Sequence, residues 1–152
     1  VTGVQTCALP ISTGLASERD TDGSHIRMPH LGAVRIGAKT TIGAAAVVVR
    51  GTLRDTVIGR DCLIGNHVNV GHNVEIGDRC LVGPMTVFSG SSSAGADCWI
   101  SPGVTVMNKI KIGAGATVGM GSVVHRDVAA GDFVAGNPAR PTPKLNKYNE
   151  KA

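Results

Sequence analysis

The sequence contains very few aromatic residues. Its 152 residues include two Phe, one Trp and one Tyr, against 21 Gly. This composition argues against a conventional β-sandwich or helical core, in which large side chains fill the interior. No run of 18 apolar residues occurs, so nothing predicts a membrane span. The length is sufficient for one domain with a continuous core.

Cysteine is also scarce, and its spacing is unusual. None of the four Cys residues forms a Cys-x-x-Cys pair, which disfavours a zinc ribbon. Cys62, Cys80 and Cys98 are each separated by 18 residues. We interpret them as one column of buried, reduced core thiols, which favours a cytoplasmic location.

A period of six residues organises the chain from Val57 to His125. The positions that define it, called anchors here, are apolar: Ile58, Ile64, Val70, Ile76, Val82, Phe88, Ala94, Ile100, Val106, Ile112, Val118 and Val124. Glycine follows eight of these twelve anchors, which suits a backbone that turns at a crowded corner. A sustained period of six fits neither a helix nor a long alternating strand, and it is typical of a hexapeptide β-helix.

We therefore predict an all-β fold, a parallel β-helix in which three hexads close one triangular coil of 18 residues. It should contain about five coils within residues 34–128, with a loop where ten residues, not six, separate Val48 from Ile58. Residues 12–33 are expected to form an irregular N-terminal loop leading into the prism, and residues 129–152 a cap and basic tail. Residues 1–11 do not fit the repeat; they resemble the translated library adapter of metagenomic reading frames, and we interpret them as non-native.

His72 is the main candidate for chemistry, because the anchors fill the interior and His72 lies two residues after anchor Val70. An outward imidazole can take a proton from an amine or hydroxyl that attacks a thioester. One coil further, Gly90 could direct its backbone N–H at the developing oxyanion. The same position is also typical of a solvated surface histidine.

Four stretches, "HIRMPHLGAVRIG", "VVVRGTLRDTVIG", "NHVNVGHNVEIGD" and "VGMGSVV", stand in an order that resembles the bacterial UDP-3-O-(3-hydroxyacyl)glucosamine N-acyltransferases. The resemblance implies a trimeric, left-handed β-helix enzyme of lipid A synthesis with a UDP-glucosamine acceptor. It places the catalytic base on His72, with Asn73 beside it, and the oxyanion glycine on Gly90. No bound cofactor is implied; the acyl donor would be an acyl carrier protein thioester or acyl-CoA.

The chain departs from that family at three places. Gly65 stands where the family has an Asp seven residues before the base, and Lys109 stands where it has a second histidine. The N-terminal domain that holds uridine has no counterpart here. These departures favour a third interpretation, a catalytically inactive β-helix module.

The C-terminal stretch "VVHRDVAAGDFVAGNPARP" resembles acetyl-CoA-dependent sugar O- and N-acetyltransferases instead. On that resemblance the CoA channel, which lies between neighbouring prisms, would be lined by Gly115, Gly119, Met120, Gly121, Asn137 and Arg140. Ordinary corners and a C-terminal cap are the alternative interpretation of these residues.

A pair of histidines, the single tryptophan and the basic tail are also candidates for a functional role. His67 and His72 have the separation found in γ-class carbonic anhydrases, but no third histidine lies two coils earlier, so we predict no metal site. Trp99 should point outward, either in an interface of the predicted homotrimer or as a wall of the donor groove. The basic tail lacks interleaved aromatic residues, so we interpret it as a solvated segment and not as a nucleic-acid patch; an acidic carrier protein or a phosphorylated donor is the alternative partner.

Overall fold

The computed structural model describes residues 5–6, 11–12, 14 and 17–143, and the regular structure within them is entirely β. Strands of two or three residues form three sheets, which are the faces of a three-sided prism. Face 1 contains β1 (Gln5–Thr6), β6 (Thr41–Ile42), β9 (Leu63–Ile64), β12 (Leu81–Val82), β15 (Trp99–Ile100), β18 (Thr117–Val118), β20 (Phe133–Ala135) and β21 (Arg140–Pro141).

Faces 2 and 3 are built in the same way. Face 2 contains β2 (Ile11–Ser12), β7 (Val47–Val49), β10 (Asn69–Val70), β13 (Val87–Phe88), β16 (Thr105–Val106) and β19 (Val123–Val124). Face 3 contains β5 (Val34–Ile36), β8 (Thr56–Ile58), β11 (Glu75–Ile76), β14 (Ser93–Ala94) and β17 (Lys111–Ile112). A separate antiparallel hairpin consists of β3 (Ser17–Arg19) and β4 (His25–Arg27).

The parallel register confirms the 18-residue coil. On face 1, Leu63 pairs with Leu81, and Leu81 pairs with Trp99. The faces wind into a left-handed parallel β-helix of about six coils, so the predicted fold class is confirmed. The additional coil arises because the backbones of β1 and β2 pair with β6 and β7 at one end, while β20 pairs with β18 at the other.

The terminal segments are more regular than the sequence suggests. The sequence predicts an irregular loop over residues 12–33, but β3 and β4 form a hairpin across a turn in which Gly23 has φ 85°. The N–H of Gly23 donates to the carbonyl of Asp20, 2.9 Å away. An Asp-Gly turn of this kind is a local signal for a hairpin. At the other end β20 and β21 pair antiparallel and cap the prism. The basic tail beyond residue 143 lies outside the described residues.

All twelve anchors are buried, with at most 4% of their surface exposed. The glycines that follow them are required by close approach of the coils: a Cβ at Gly77 would lie 2.6 Å from the nitrogen of Ala96 in the next coil. The left-handed turn itself falls two residues later, for example at Arg79, where φ is 55°. These glycines therefore lie at the predicted crowded corners, where close stacking of the coils requires them, while the left-handed conformation belongs to the residue two positions later.

Cys62, Cys80 and Cys98 form the predicted column of free, buried thiols. Each sulfur contacts a carbonyl oxygen of the following coil, those of Gly77, Gly95 and Gly113, at 3.0 to 3.1 Å. The hydrogen bond with Cys80, together with burial, raises the pKa of Cys62 well above its ordinary value. Such a protonated thiol packs as a small apolar group and is a poor nucleophile. Among the described residues, no helix has the length and apolarity needed to cross a membrane.

Candidate active site

His72 lies at the corner between faces 2 and 3, half-buried, with its ring against the backbone of Gly90 in the next coil. A Cβ at Gly90 would overlap the imidazole, coming 2.5 Å from Cε1 and 2.9 Å from Cδ2, and closer still to Nε2. Only glycine therefore leaves room for the ring in this position. The backbone N–H of Gly90 donates to no other residue within the described part of the chain, so it is available to a ligand.

Asn73 fixes the orientation of this imidazole. Its amide is itself held by two backbone groups, because Oδ1 accepts from the N–H of Thr52 at 3.3 Å and Nδ2 donates to the carbonyl of Arg54 at 2.7 Å. Since Oδ1 can only accept, Nδ1 of His72, 3.0 Å away, must be the donor. The neutral ring then carries its lone pair on Nε2, the atom that lies against Gly90.

The loop at the register break supplies the groups that hold Asn73. Besides its backbone N–H, Thr52 donates its hydroxyl to Asn73 Oδ1 at 2.7 Å. The loop is pinned in turn, because its Thr52 and Gly51 carbonyls accept from the N–H groups of Leu31 and Gly32 at 2.6 and 3.0 Å. The register break in the sequence predicts this loop, but Thr52 is not among the predicted site residues.

His30 is a second histidine at this corner, and it is not among the site residues predicted from the sequence. Its ring packs edge-on against His72, with 6.1 Å between ring centroids and an interplanar angle of 74°. The side chain is buried, and its Nε2 forms no hydrogen bond with any described residue. The only signal in the sequence was its place in "PHLG", shortly before the first coil.

Two of the three departures from the resembled family, Gly65 and Lys109, have defined positions in the structure. At Gly65 a Cβ would lie 2.6 Å from the nitrogen of Pro84, so there is no room for a carboxylate side chain unless the next coil moves. Asn73 supplies the oxygen that orients His72 in this chain. Lys109 is exposed on the same corner as Asn73, two coils further, and its N–H donates to the carbonyl of Gly90 at 3.2 Å.

The residues assigned to a donor channel do not all come together. Gly119, Met120 and Gly121 lie on the corner between faces 1 and 2, where Met120 is 67% exposed. Gly115 turns the corner between faces 3 and 1. Asn137 lies in the turn between β20 and β21, and Arg140 donates to Nε2 of His125 across 3.1 Å. None of these residues shares the corner of His72, so within one chain they are separate from it.

His67 and His72 also lie on different corners, since His67 follows an anchor of face 1 and His72 follows an anchor of face 2. They cannot jointly hold one ion as the zinc interpretation requires. In the described part of the chain no group of three or more His, Cys, Asp or Glu side chains is placed to bind a metal.

Comparison with known proteins is consistent with this architecture. Residues 55–90 and 95–126 match the family model described as Bacterial transferase hexapeptide (six repeats). The chain is 37% identical to the UDP-3-O-acylglucosamine N-acyltransferase of Methylorubrum extorquens (strain PA1) over 119 residues, 78% of this chain and 34% of that one. The enzyme of the same name from Caulobacter sp. (strain K31) is 39% identical over 116 residues, 76% of this chain and 34% of that one.

Among solved structures, PerB from Caulobacter crescentus, in complex with CoA and GDP-perosamine, aligns with a TM-score of 0.68 and 28% identity. The alignment covers 75% of this chain and 56% of PerB. The chain spans about a third of the length of these two curated relatives, 34% of each.

Proposed function

We propose that the chain, which matches the bacterial transferase hexapeptide model over residues 55–90 and 95–126, is an acyltransferase that moves an acyl group from a thioester to a sugar amine or hydroxyl. N-acylation of a nucleotide sugar of the lipid A type is the reaction suggested by the names of its relatives. The observation that carries the proposal is the imidazole of His72, held through Nδ1 by Asn73 with Nε2 against the backbone of Gly90.

The arrangement suits both halves of acyl transfer. As the acceptor nitrogen or oxygen attacks the thioester carbonyl, Nε2 of His72 takes its proton and negative charge develops on the carbonyl oxygen. The N–H of Gly90 can donate to that oxygen. When the tetrahedral intermediate collapses, the carbon–sulfur bond breaks and the Nε2 proton passes to the departing thiolate. The Asn73 oxygen keeps Nδ1 as the protonated nitrogen throughout.

The donor and the assembly belong to the same proposal. PerB was solved with CoA, which supports an acyl-CoA donor. An acyl carrier protein thioester, implied by the sequence resemblance alone, is the alternative donor. The residues assigned to the donor, among them Met120 and Arg140, lie on other corners than His72. We infer that a neighbouring copy in a homotrimer brings its donor residues to His72. The cytoplasmic location of the protein stays a prediction.

An acetyl-CoA-dependent sugar O- or N-acetyltransferase is the second candidate. It is favoured by the PerB complex with CoA and by the C-terminal "GNPARP" hairpin. The two candidates differ in donor, so turnover with acetyl-CoA against turnover with a 3-hydroxyacyl carrier protein separates them.

The test of the shared mechanism is His72→Ala. We expect turnover of the thioester in the presence of amino-sugar acceptors to fall at least about 100-fold, the scale of a lost general base, with little change in melting temperature. The turnover rate is measured by following thiol release with a chromogenic reagent. His25→Ala, the same change at an exposed histidine of the β3–β4 hairpin, should retain activity. Comparable rates for the wild type and His72→Ala would remove the proposal.

A further inference from the structure

A polar pocket lies on face 3 beside the candidate base. It is lined by Arg54, Asn73, Glu75, Ser91, Ser92, Ser93 and Lys111. Asn73 thus lines the pocket and also accepts from His72 Nδ1, at 3.0 Å. Nothing in the mechanism above uses the other side chains of this pocket.

The pocket is close to the place where chemistry would occur. Ser91 directly follows Gly90, so their Cα atoms are about 3.8 Å apart, and the N–H of Ser91 donates to the carbonyl of His72 at 2.8 Å. A substrate with its reacting amine at Nε2 of His72 can therefore place a substituent a few bonds away in the pocket.

The side chains of the pocket are arranged to donate hydrogen bonds. On face 3, Ser93 pairs with Glu75 on one side and with Lys111 on the other, so the three side chains form an outward ladder. Arg54 and Glu75 form an ion pair at 3.1 Å, which neutralises the acidic group. The Ser92 hydroxyl donates to the Ser89 carbonyl at 2.7 Å, so its proton is used within the coil and does not serve a ligand.

Lys111 retains an available charge. Among the described residues its ammonium forms no ion pair, and the nearby Asp127 carboxylate instead accepts from the Lys111 backbone N–H at 2.8 Å. The hydroxyls of Ser91 and Ser93 likewise make no side-chain hydrogen bond to any residue that the structure describes. An ammonium with two hydroxyls beside it is a set of donors that suits a phosphate group.

We propose that this pocket binds the phosphate of a phosphorylated amino-sugar acceptor, with Lys111 as its principal charge partner. The inference rests on the proposed acyl transfer to a sugar and adds the substrate class: an acceptor whose amine reaches His72 while its phosphate contacts Lys111, Ser91 and Ser93. Glucosamine 1-phosphate is the simplest probe of this chemistry, and glucosamine is its uncharged counterpart.

The experiment compares the two acceptors with acetyl-CoA as donor. For Lys111→Gln we expect the ratio of kcat/KM for glucosamine 1-phosphate over glucosamine to fall about tenfold, the effect of one charge-assisted hydrogen bond. Lys39→Gln removes the same charge at the corner between faces 3 and 1 and should leave the ratio unchanged. An unchanged ratio in Lys111→Gln overturns the proposal.

The phosphates of CoA are the alternative occupant of this pocket, and the same assay distinguishes CoA from the phosphorylated acceptor. If Lys111→Gln raises the KM for acetyl-CoA but not for acetyl-pantetheine, with no effect on acceptor preference, the pocket belongs to the donor and the acceptor assignment fails. A titration of glucosamine 1-phosphate followed by NMR, without donor, tests the pocket apart from catalysis. If glucosamine 1-phosphate binds and Lys111→Gln weakens the binding, the pocket assignment is upheld even where no acyl transfer is found. If binding is absent, or is the same in Lys111→Gln, the pocket assignment is overturned.

Discussion

One amide oxygen decides which nitrogen of His72 can act as a base. Asn73 Oδ1 accepts from Nδ1 of His72, from the Thr52 hydroxyl and from the Thr52 N–H, so it is a shared acceptor in a buried network. Networks of this kind depend on each member, because a lost donor lets the remaining groups shift. The position of Nε2 against Gly90 is therefore controlled, through Asn73, by Thr52 of the preceding loop.

Thr52→Val tests this control at the residue scale. The valine keeps the shape of the side chain but removes the hydroxyl that donates to Asn73, which costs about 1 kcal/mol of orienting interaction. We expect kcat to fall roughly five- to tenfold with a smaller change in KM, and the ¹⁵N shifts of the His72 ring to show a mixed tautomer population. Thr105→Val, on the outer surface of face 2, is the matched control. An unaltered tautomer and rate would show that Thr52 does not position His72.

The coil is the structural element of this fold, and its spacing depends on residues that follow the anchors. At most of these positions a Cβ would meet the backbone of the next coil; at Met107 a long side chain is accommodated instead and is 49% exposed. Close stacking lets the backbone of each coil hydrogen-bond to its neighbours, as in any parallel sheet. The glycines thus maintain the distance at which the corner of His72 meets Gly90.

Gly77→Ala should reveal this constraint. The added methyl would lie 2.6 Å from the nitrogen of Ala96, so the two coils must separate locally, at a cost of about 1–3 kcal/mol for overpacking. We expect the melting temperature to fall by several degrees. Met107→Ala changes the same hexad position, where a Cβ already exists, and should leave melting nearly unchanged. Equal melting of Gly77→Ala and wild type would contradict the close approach.

At the scale of the whole molecule, the outward surface of face 1 carries an apolar ladder of Leu63, Leu81 and Trp99. Leu63 is 54% exposed and Trp99 is 45% exposed in the single chain. Burying a contiguous apolar surface between copies is favourable, and this surface supports the proposed trimer.

Sedimentation measures the assembly directly. We expect the wild type to have about three times the chain mass of 15.5 kDa, and Trp99→Glu to shift it towards the single-chain mass, because an unpaired charge is costly in an apolar interface. Ile26→Glu makes the same kind of change in the β3–β4 hairpin, at a side chain that is 51% exposed, and should leave the mass unchanged. A wild type that sediments as a single chain would exclude the trimer.

The sequence alone determined the prism, the 18-residue coil, the cysteine column and the placement of His72 one coil before Gly90. These follow from short-range periodicity, because each coil of a solenoid contacts only its neighbours and repeats their pattern. Only the tertiary structure decided what surrounds the imidazole. The extra residues after Val48 interrupt the 18-residue count, so that Thr52 and Arg54, 21 and 19 residues before Asn73, become its partners. His30 reaches the same corner from outside the repeat, and periodicity carries no information about such contacts.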